Sequence, residues 1–252
     1  MNQQETAQLE RRRNADAPLH GPDAFEGMRR AGRLTAQALD LLVEYVKPGV
    51  TTEFLDKLAF DFARDHGAYP APLLYRGYPK SICTSINHVV CHGIPNDKPL
   101  REGDILNIDV TLILDGWHGD SSRMYFVGEV PRRAARLCDI TYECLMRGIA
   151  AVRPGATTNA IGAAIQAFAE AERCSVVRDF CGHGLDDRGR TVGDDPHLFQ
   201  VDAERGEEVR DRADVAVLGA TREDLVADDE EPRGRDGRHG ESVLVAAGGT
   251  LI

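Results

Sequence analysis

The chain has 252 residues, 42% of them hydrophobic, and a formal net charge of −11. That length can bury a full core, as one large domain or two small ones. No apolar run approaches the roughly 20 residues a membrane helix needs, and the acidic balance argues against a nucleic-acid binder, whose footprint is a basic face. The opening segment, with Glu10-Arg11-Arg12-Arg13, has no apolar stretch behind its charges. Residues 1–22 are therefore expected to be disordered, with no secretory signal, in a cytoplasmic protein without a membrane partner. The six cysteines contain no Cys-x-x-Cys pair, which fits reduced thiols rather than a zinc knuckle.

Asp23 to Tyr45 is predicted to be a helix, because Met28, Ala31, Leu34, Ala38, Leu41 and Leu42 recur at spacings of three and four. Lys47-Pro48-Gly49 ends it, and Thr52 is the expected N-cap of a second helix that stops at Gly67. The phrase Val46–Thr52 returns as Val152–Thr158, again between two amphipathic segments, the second being Ala160 to Glu172. An offset of this length is too long for a solenoid repeat and points to a duplicated half-domain. Between the copies, Ser81–Cys91, Ile105–Leu114 and Ser122–Val127 have strand composition, with Asp115-Gly116 as a hairpin turn. From Asp186 to Ile252 the pattern fails. That stretch holds 18 acidic and 9 basic side chains and one aromatic, Phe199, the composition of a poorly packed segment.

Four residues carry the chemistry: His92, Asp109, Asp120 and His183. Carboxylate oxygens with imidazole nitrogens form the donor set that holds Mn, Fe, Co or Zn. The hairpin brings Asp109 and Asp120 to near-opposite positions on one face, and a cation between two close carboxylates removes their repulsion. Taken singly, an Asp in a strand is more often solvated or a turn cap, and a His beside a glycine is more often structural. Asp109, however, sits in an otherwise apolar run, where an unpaired carboxylate is costly.

These segments resemble the type I methionine aminopeptidases. The resemblance rests on Gly77–Asn87, on Val89-Val90-Cys91-His92-Gly93-Ile94-Pro95, on Leu100–Val110, on Gly116–Ser122 and on Cys181-Gly182-His183-Gly184-Leu185, in that order. It implies the α+β pita-bread fold, a pseudo-symmetric two-half antiparallel sheet covered by helices, with a single aminopeptidase-like domain over 23–252. That domain matches the family well over 23–185 and is degenerate over 186–252. The resemblance implies metal-dependent removal of the initiator methionine from nascent polypeptide N-termini, at the ribosome, by a monomer using two divalent ions. By matching position, Asp109, Asp120, His183 and Glu241 would bind metal, His92 would contact the substrate at the scissile bond, and Tyr75, Tyr78 and Cys83 would line the methionine pocket. The rival readings are an inactive pita-bread protein that binds a peptide or partner, and a prolidase-like peptidase of the same superfold.

The tail departs from the family pattern. Gly193 stands where a second substrate histidine is expected, with His197 out of register, and Ala220 stands near the position of a metal glutamate, with Glu223 the nearest carboxylate. The loss of one glutamate implies one weakly held ion and reduced turnover. Islands of match near 194–199 and 241–251 are what shifts of reading frame produce. Resequencing the coding DNA should therefore find a displaced frame downstream of codon 185, and an unchanged read would leave genuine divergence as the account.

Overall fold

The structure, a computed structural model, describes residues 21–153, 156 and 159–177. Helix α1 runs over Pro22–Val43, with Pro22 at the position where a missing N–H costs nothing. Helix α2 covers Thr52–Asp65. Its cap is Thr51 rather than the expected Thr52: the Thr51 hydroxyl accepts from Phe54 N at 3.2 Å. Thr52 is buried and its hydroxyl accepts from Asn96 N at 2.9 Å, so tertiary packing claims that side chain and the cap moves back one residue.

A four-stranded antiparallel sheet follows, with β1 Tyr69–Pro70, β2 Cys83–Ile86, β3 Ile105–Leu114 and β4 Trp117–Phe126. Two expected strands change their limits. The segment after Ile86 does not continue to Cys91, because Asn87 turns the chain at φ 52°, held by Asn87 Nδ2 donating to Asp104 Oδ1 at 2.8 Å. β4 begins at Trp117 rather than Ser122, so Asp120 lies within a strand and not in a turn. The hairpin turn falls at Asp115-Gly116 as expected, with φ 52° and 85°. Two consecutive positive φ values are what a two-residue turn of the right twist needs.

β3 is the central strand, and its successive side chains point to opposite faces of the sheet. Leu106, Ile108, Val110 and Leu112 are at most 1% exposed and face α1 and α2. Their partners on β4 include Gly119 opposite Leu112 and Tyr125 opposite Leu106. The Tyr125 hydroxyl donates to Leu39 O of α1 at 2.6 Å. Each fully buried Leu or Ile of this layer contributes about 1.5–3 kcal/mol of transfer free energy. Contact with α1 is close enough to require glycine: a Cβ on Gly119 would lie 2.4 Å from the Ala31 backbone. Helices α3 Arg132–Ala151 and α4 Asn159–Ala171 pack on each other through a second cluster around Ile140, Cys144, Ile165 and Ala169. A pair of consecutive helices thus occurs twice, α1–α2 and α3–α4, flanking the two copies of the repeated phrase.

Gly119→Ala should destabilise the protein by roughly 1–3 kcal/mol, the usual penalty for overpacking a tight contact. Urea unfolding of the two proteins measures this, and an unchanged midpoint would contradict the close α1–sheet contact.

Candidate active site

The face of the sheet turned away from α1 is polar. Its middle odd-numbered β3 residues are Asn107, Asp109 and Thr111, between Ile105 and Ile113, and their β4 partners are Met124, Ser122 and Asp120. On the other edge Cys83 pairs with Asp109 and Ser85 with Asn107. Direct partners in an antiparallel pair share a face. Asp109 and Asp120 are therefore diagonal neighbours on one face, with Cβ atoms about 7–8 Å apart or less. Two carboxylates at that spacing, reaching inward, fit around an ion or a pair of ions about 3.5–4 Å apart.

The electrostatics agree with such a role. Burial first, and then the neighbouring Asp120 charge, hold the Asp109 carboxyl well above its usual range. No Lys or Arg among the described residues pairs with Asp109. Asp109 keeps partial solvent access, so an ion can reach it. The hard oxygen donors, the mutual repulsion and the access suit a divalent cation. No three His, Cys, Asp or Glu side chains among the described residues converge into a complete metal site, so further donors have to come from elsewhere. The expected donors His183 and Glu241 lie outside the described residues, as does the rest of the degenerate segment 186–252.

His92 sits at the rim. It is exposed, and its backbone adopts φ 54°, a left-handed conformation that costs a non-glycine residue about 1–2 kcal/mol. The neighbouring contacts hold it there. Thr84 N donates to Gly93 O at 2.7 Å, and Gly93 N donates to the Ser85 hydroxyl at 3.2 Å. A Cβ on Gly93 would lie 2.1 Å from Thr84 O, so only glycine lets the His92 loop lie this close to β2.

Of the three residues expected to line a pocket, Tyr78 and Cys83 lie near each other at the start of β2. The Tyr78 hydroxyl donates to Ile82 O at 3.0 Å and Gly93 O at 3.2 Å, which joins the start of β2 to the His92 loop. It also reaches the Cys83 thiol, opposite Asp109. Burial pushes Cys83 up to about 12 and raises Tyr78 as well, so both stay neutral. Tyr75 is more remote: it lies in an exposed turn over Tyr75–Gly77, with the Arg76 guanidinium 5.4 Å from its ring centroid.

Several residues around the site carried no assignment from the sequence. Asp56 of α2 is buried and accepts from Ser81 N at 2.7 Å and Ile82 N at 3.1 Å, anchoring the chain that leads to Cys83. Its pKa is raised, mainly by burial. Thr111 donates to Asp120 Oδ1 at 2.9 Å. His118, on the same face as Asp120, is 7% exposed, and its Nδ1 has no partner among the described residues. The alternation Asn107-Ile108-Asp109-Val110-Thr111 signalled the polar face. Nothing local signalled Asp56, which acts across 25 residues of sequence.

The family model for metallopeptidase family M24 matches residues 26–215. The methionine aminopeptidase of Rickettsia prowazekii (strain Madrid E) is 57% identical over 181 residues, which cover 72% of this chain and 69% of the relative. The crystal structure of methionine aminopeptidase from Rickettsia prowazekii matches with a TM-score of 0.67 at 58% identity, over 68% of either chain. X-Pro aminopeptidase from Thermotoga maritima matches with a TM-score of 0.57 at 18% identity, over 69% of this chain and 48% of its own, and shows a common fold alone. The architecture is the expected pita-bread arrangement of helices and antiparallel sheet.

Replacing Asp56 with Ala should orphan two buried N–H groups and cost about 1–3 kcal/mol each, whereas Asp56→Asn keeps an acceptor and should cost less. Because the folded-state pKa is raised, the wild type should lose stability relative to Asp56→Asn as pH rises from 3.8 through the raised value. Denaturant titrations across that range measure the difference, and a pH-independent gap would contradict the burial of this carboxyl.

Proposed function

This chain belongs to the M24 metallopeptidases and, within them, to the methionine aminopeptidases, and from that premise we propose that it removes the initiator methionine from nascent polypeptides by divalent-metal-dependent hydrolysis. The observation that carries the reading is the diagonal pair Asp109 and Asp120 on the polar face of the β3–β4 hairpin, beside Cys83.

Asp109 and Asp120 are the metal ligands of this half of the site, with His183 and Glu241 as the further donors. Two ions drawn from Co, Mn, Fe or Zn suit this oxygen and nitrogen set. When bound, such ions supply Lewis acidity to the scissile carbonyl and lower the pKa of a water. The protein's own share is placement. Cys83 and Tyr78 offer neutral, partly buried surface to the methionine side chain, and a thioether against a thiol and an aromatic edge is a favourable contact. Tyr75, in the exposed turn over Tyr75–Gly77, is the outlying member of that pocket. His92 donates to the substrate amide or to the oxygen on which charge develops. The substrate is a nascent chain with a free N-terminus, met in the cytoplasm by a monomer at the ribosome, and residues 23–252 act as one domain. Among the described residues no helix is long and apolar enough to cross a membrane.

The test is turnover of Met-Ala-Ser with added Co or Mn. Chelation should abolish it and re-addition of metal should restore it. Asp109→Ala and Asp120→Ala should each lower kcat/KM by more than about 100-fold, since metal Lewis acidity is worth several kcal/mol. His92→Ala should lower kcat by about 100-fold with little change in KM, as removal of one transition-state donor does. Ala220 near a glutamate position predicts a weakly held second ion and low turnover. Full turnover with two tightly held ions would refute that part, and absence of both metal and turnover would favour a binding module instead.

A further inference from the structure

Thr111 is the direct cross-strand partner of Asp120. On its own strand it lies two residues beyond Asp109, so it sits on the polar face between the two carboxylates. Its hydroxyl donates to Asp120 Oδ1 at 2.9 Å. Resting on the reading of Asp109 and Asp120 as metal ligands, we propose that Thr111 is a positioning residue that fixes the carboxylate plane of Asp120 for metal binding.

The chemistry favours this assignment. An ionised carboxylate has about four lone-pair positions on two oxygens. The hydrogen bond from Thr111 occupies one of them at Oδ1 and fixes that edge of the carboxylate toward β3. Rotation about the bond to the carboxyl carbon is broad and two-fold for an Asp side chain, so an Asp without such a bond spends part of its time turned away from the ion. A threonine suits the task because its branched Cβ restricts χ1, and the strand register then aims the hydroxyl at the facing residue. A serine could make the same bond with more rotamer freedom. Valine has nearly the same shape and keeps the strand preference but cannot donate. Thr111 is only half-buried, so folding does not require its hydroxyl to be satisfied within the protein. Its bond to Asp120 therefore serves the carboxylate more than it serves the core.

The experiment is calorimetric titration of the full chain with Mn2+, for the wild type and for Thr111→Val, Thr111→Ala and Thr111→Ser, with a thermal melt of each. Thr111→Val and Thr111→Ala should both bind Mn2+ about 10–100-fold more weakly, the usual effect of removing a hydrogen bond that orients a metal ligand. Thr111→Ser should recover most of the affinity, and the melting temperature of the metal-free Thr111→Val protein should stay at the wild-type value. Wild-type affinity in Thr111→Val would overturn the proposal, as would affinity that follows side-chain volume, with Ala and Ser both weak. A wild-type protein that binds no Mn2+, Co2+ or Zn2+ would instead overturn the metal reading itself. Binding by the wild type together with unchanged binding by Thr111→Val isolates the failure to Thr111.

Discussion

The ten-pair register between β3 and β4 is the constraint on which the rest of the structure depends. Its side-chain period of two divides one hairpin into two surfaces. Leu106, Ile108, Val110 and Leu112 supply the apolar surface that α1 and α2 cover. Asn107, Asp109 and Thr111, with Asp120 and Ser122 across from them, supply the polar one. A slip of one residue would exchange the surfaces, burying Asp109 under α1 and exposing Ile108. The core and the site are therefore specified by the same pairing. The free energy gained by burying the even-numbered residues holds two mutually repelling carboxylates on the other side.

Around that hairpin the site is built from backbone contacts more than from side-chain packing. The Gly93 carbonyl accepts from Thr84 N, and its N–H reaches Ser85. Tyr78 spans the start of β2 and the His92 loop. Asp56 brings a buried carboxylate from α2 to the two amides that precede Cys83. Each contact is modest in net energy, about 0.5–1.5 kcal/mol for a neutral hydrogen bond. Together they hold His92 at a positive φ that a free chain would leave. Strain kept at a rim residue by surrounding structure is common where a side chain has to face a ligand. The surface ion pairs, such as Arg30–Asp115 and Arg123–Asp40, are exposed and add little.

Family membership and local physics meet at this half-site. High identity to methionine aminopeptidases covers the portion where the hairpin, the His92 loop and the Cys83 wall are built. In that portion the structure sets two carboxylates on one face of the hairpin, with Cys83 beside Asp109 and the His92 loop against β2. Burial and the neighbouring Asp120 raise the carboxyl of Asp109, the electrostatic cost of holding two carboxylates close together on a half-buried face.

Much of this was legible in the sequence because it is local. The apolar, β-branched composition of Ile105–Leu114 gave that strand its limits to the residue, and Asp115-Gly116 gave the turn. Together they place Asp109 and Asp120 on one face, and the ordered motifs through Cys83, His92 and Asp120 identify the family. Other features depended on contacts that local pattern does not record. Thr51 became the α2 cap because Asn96 claims Thr52. β4 extended back to Trp117 because every residue from there finds a partner on β3, although Gly119, Asp120 and Ser121 have weak strand preference by themselves. The anchoring of Ser81 by Asp56 and of Asp120 by Thr111 likewise joins residues that only folding brings together. Sequence fixes periodicity, turn chemistry and donor types, since those follow from one residue and its near neighbours. The orientation of a carboxylate or a histidine depends on groups far along the chain, and only the tertiary structure decides it.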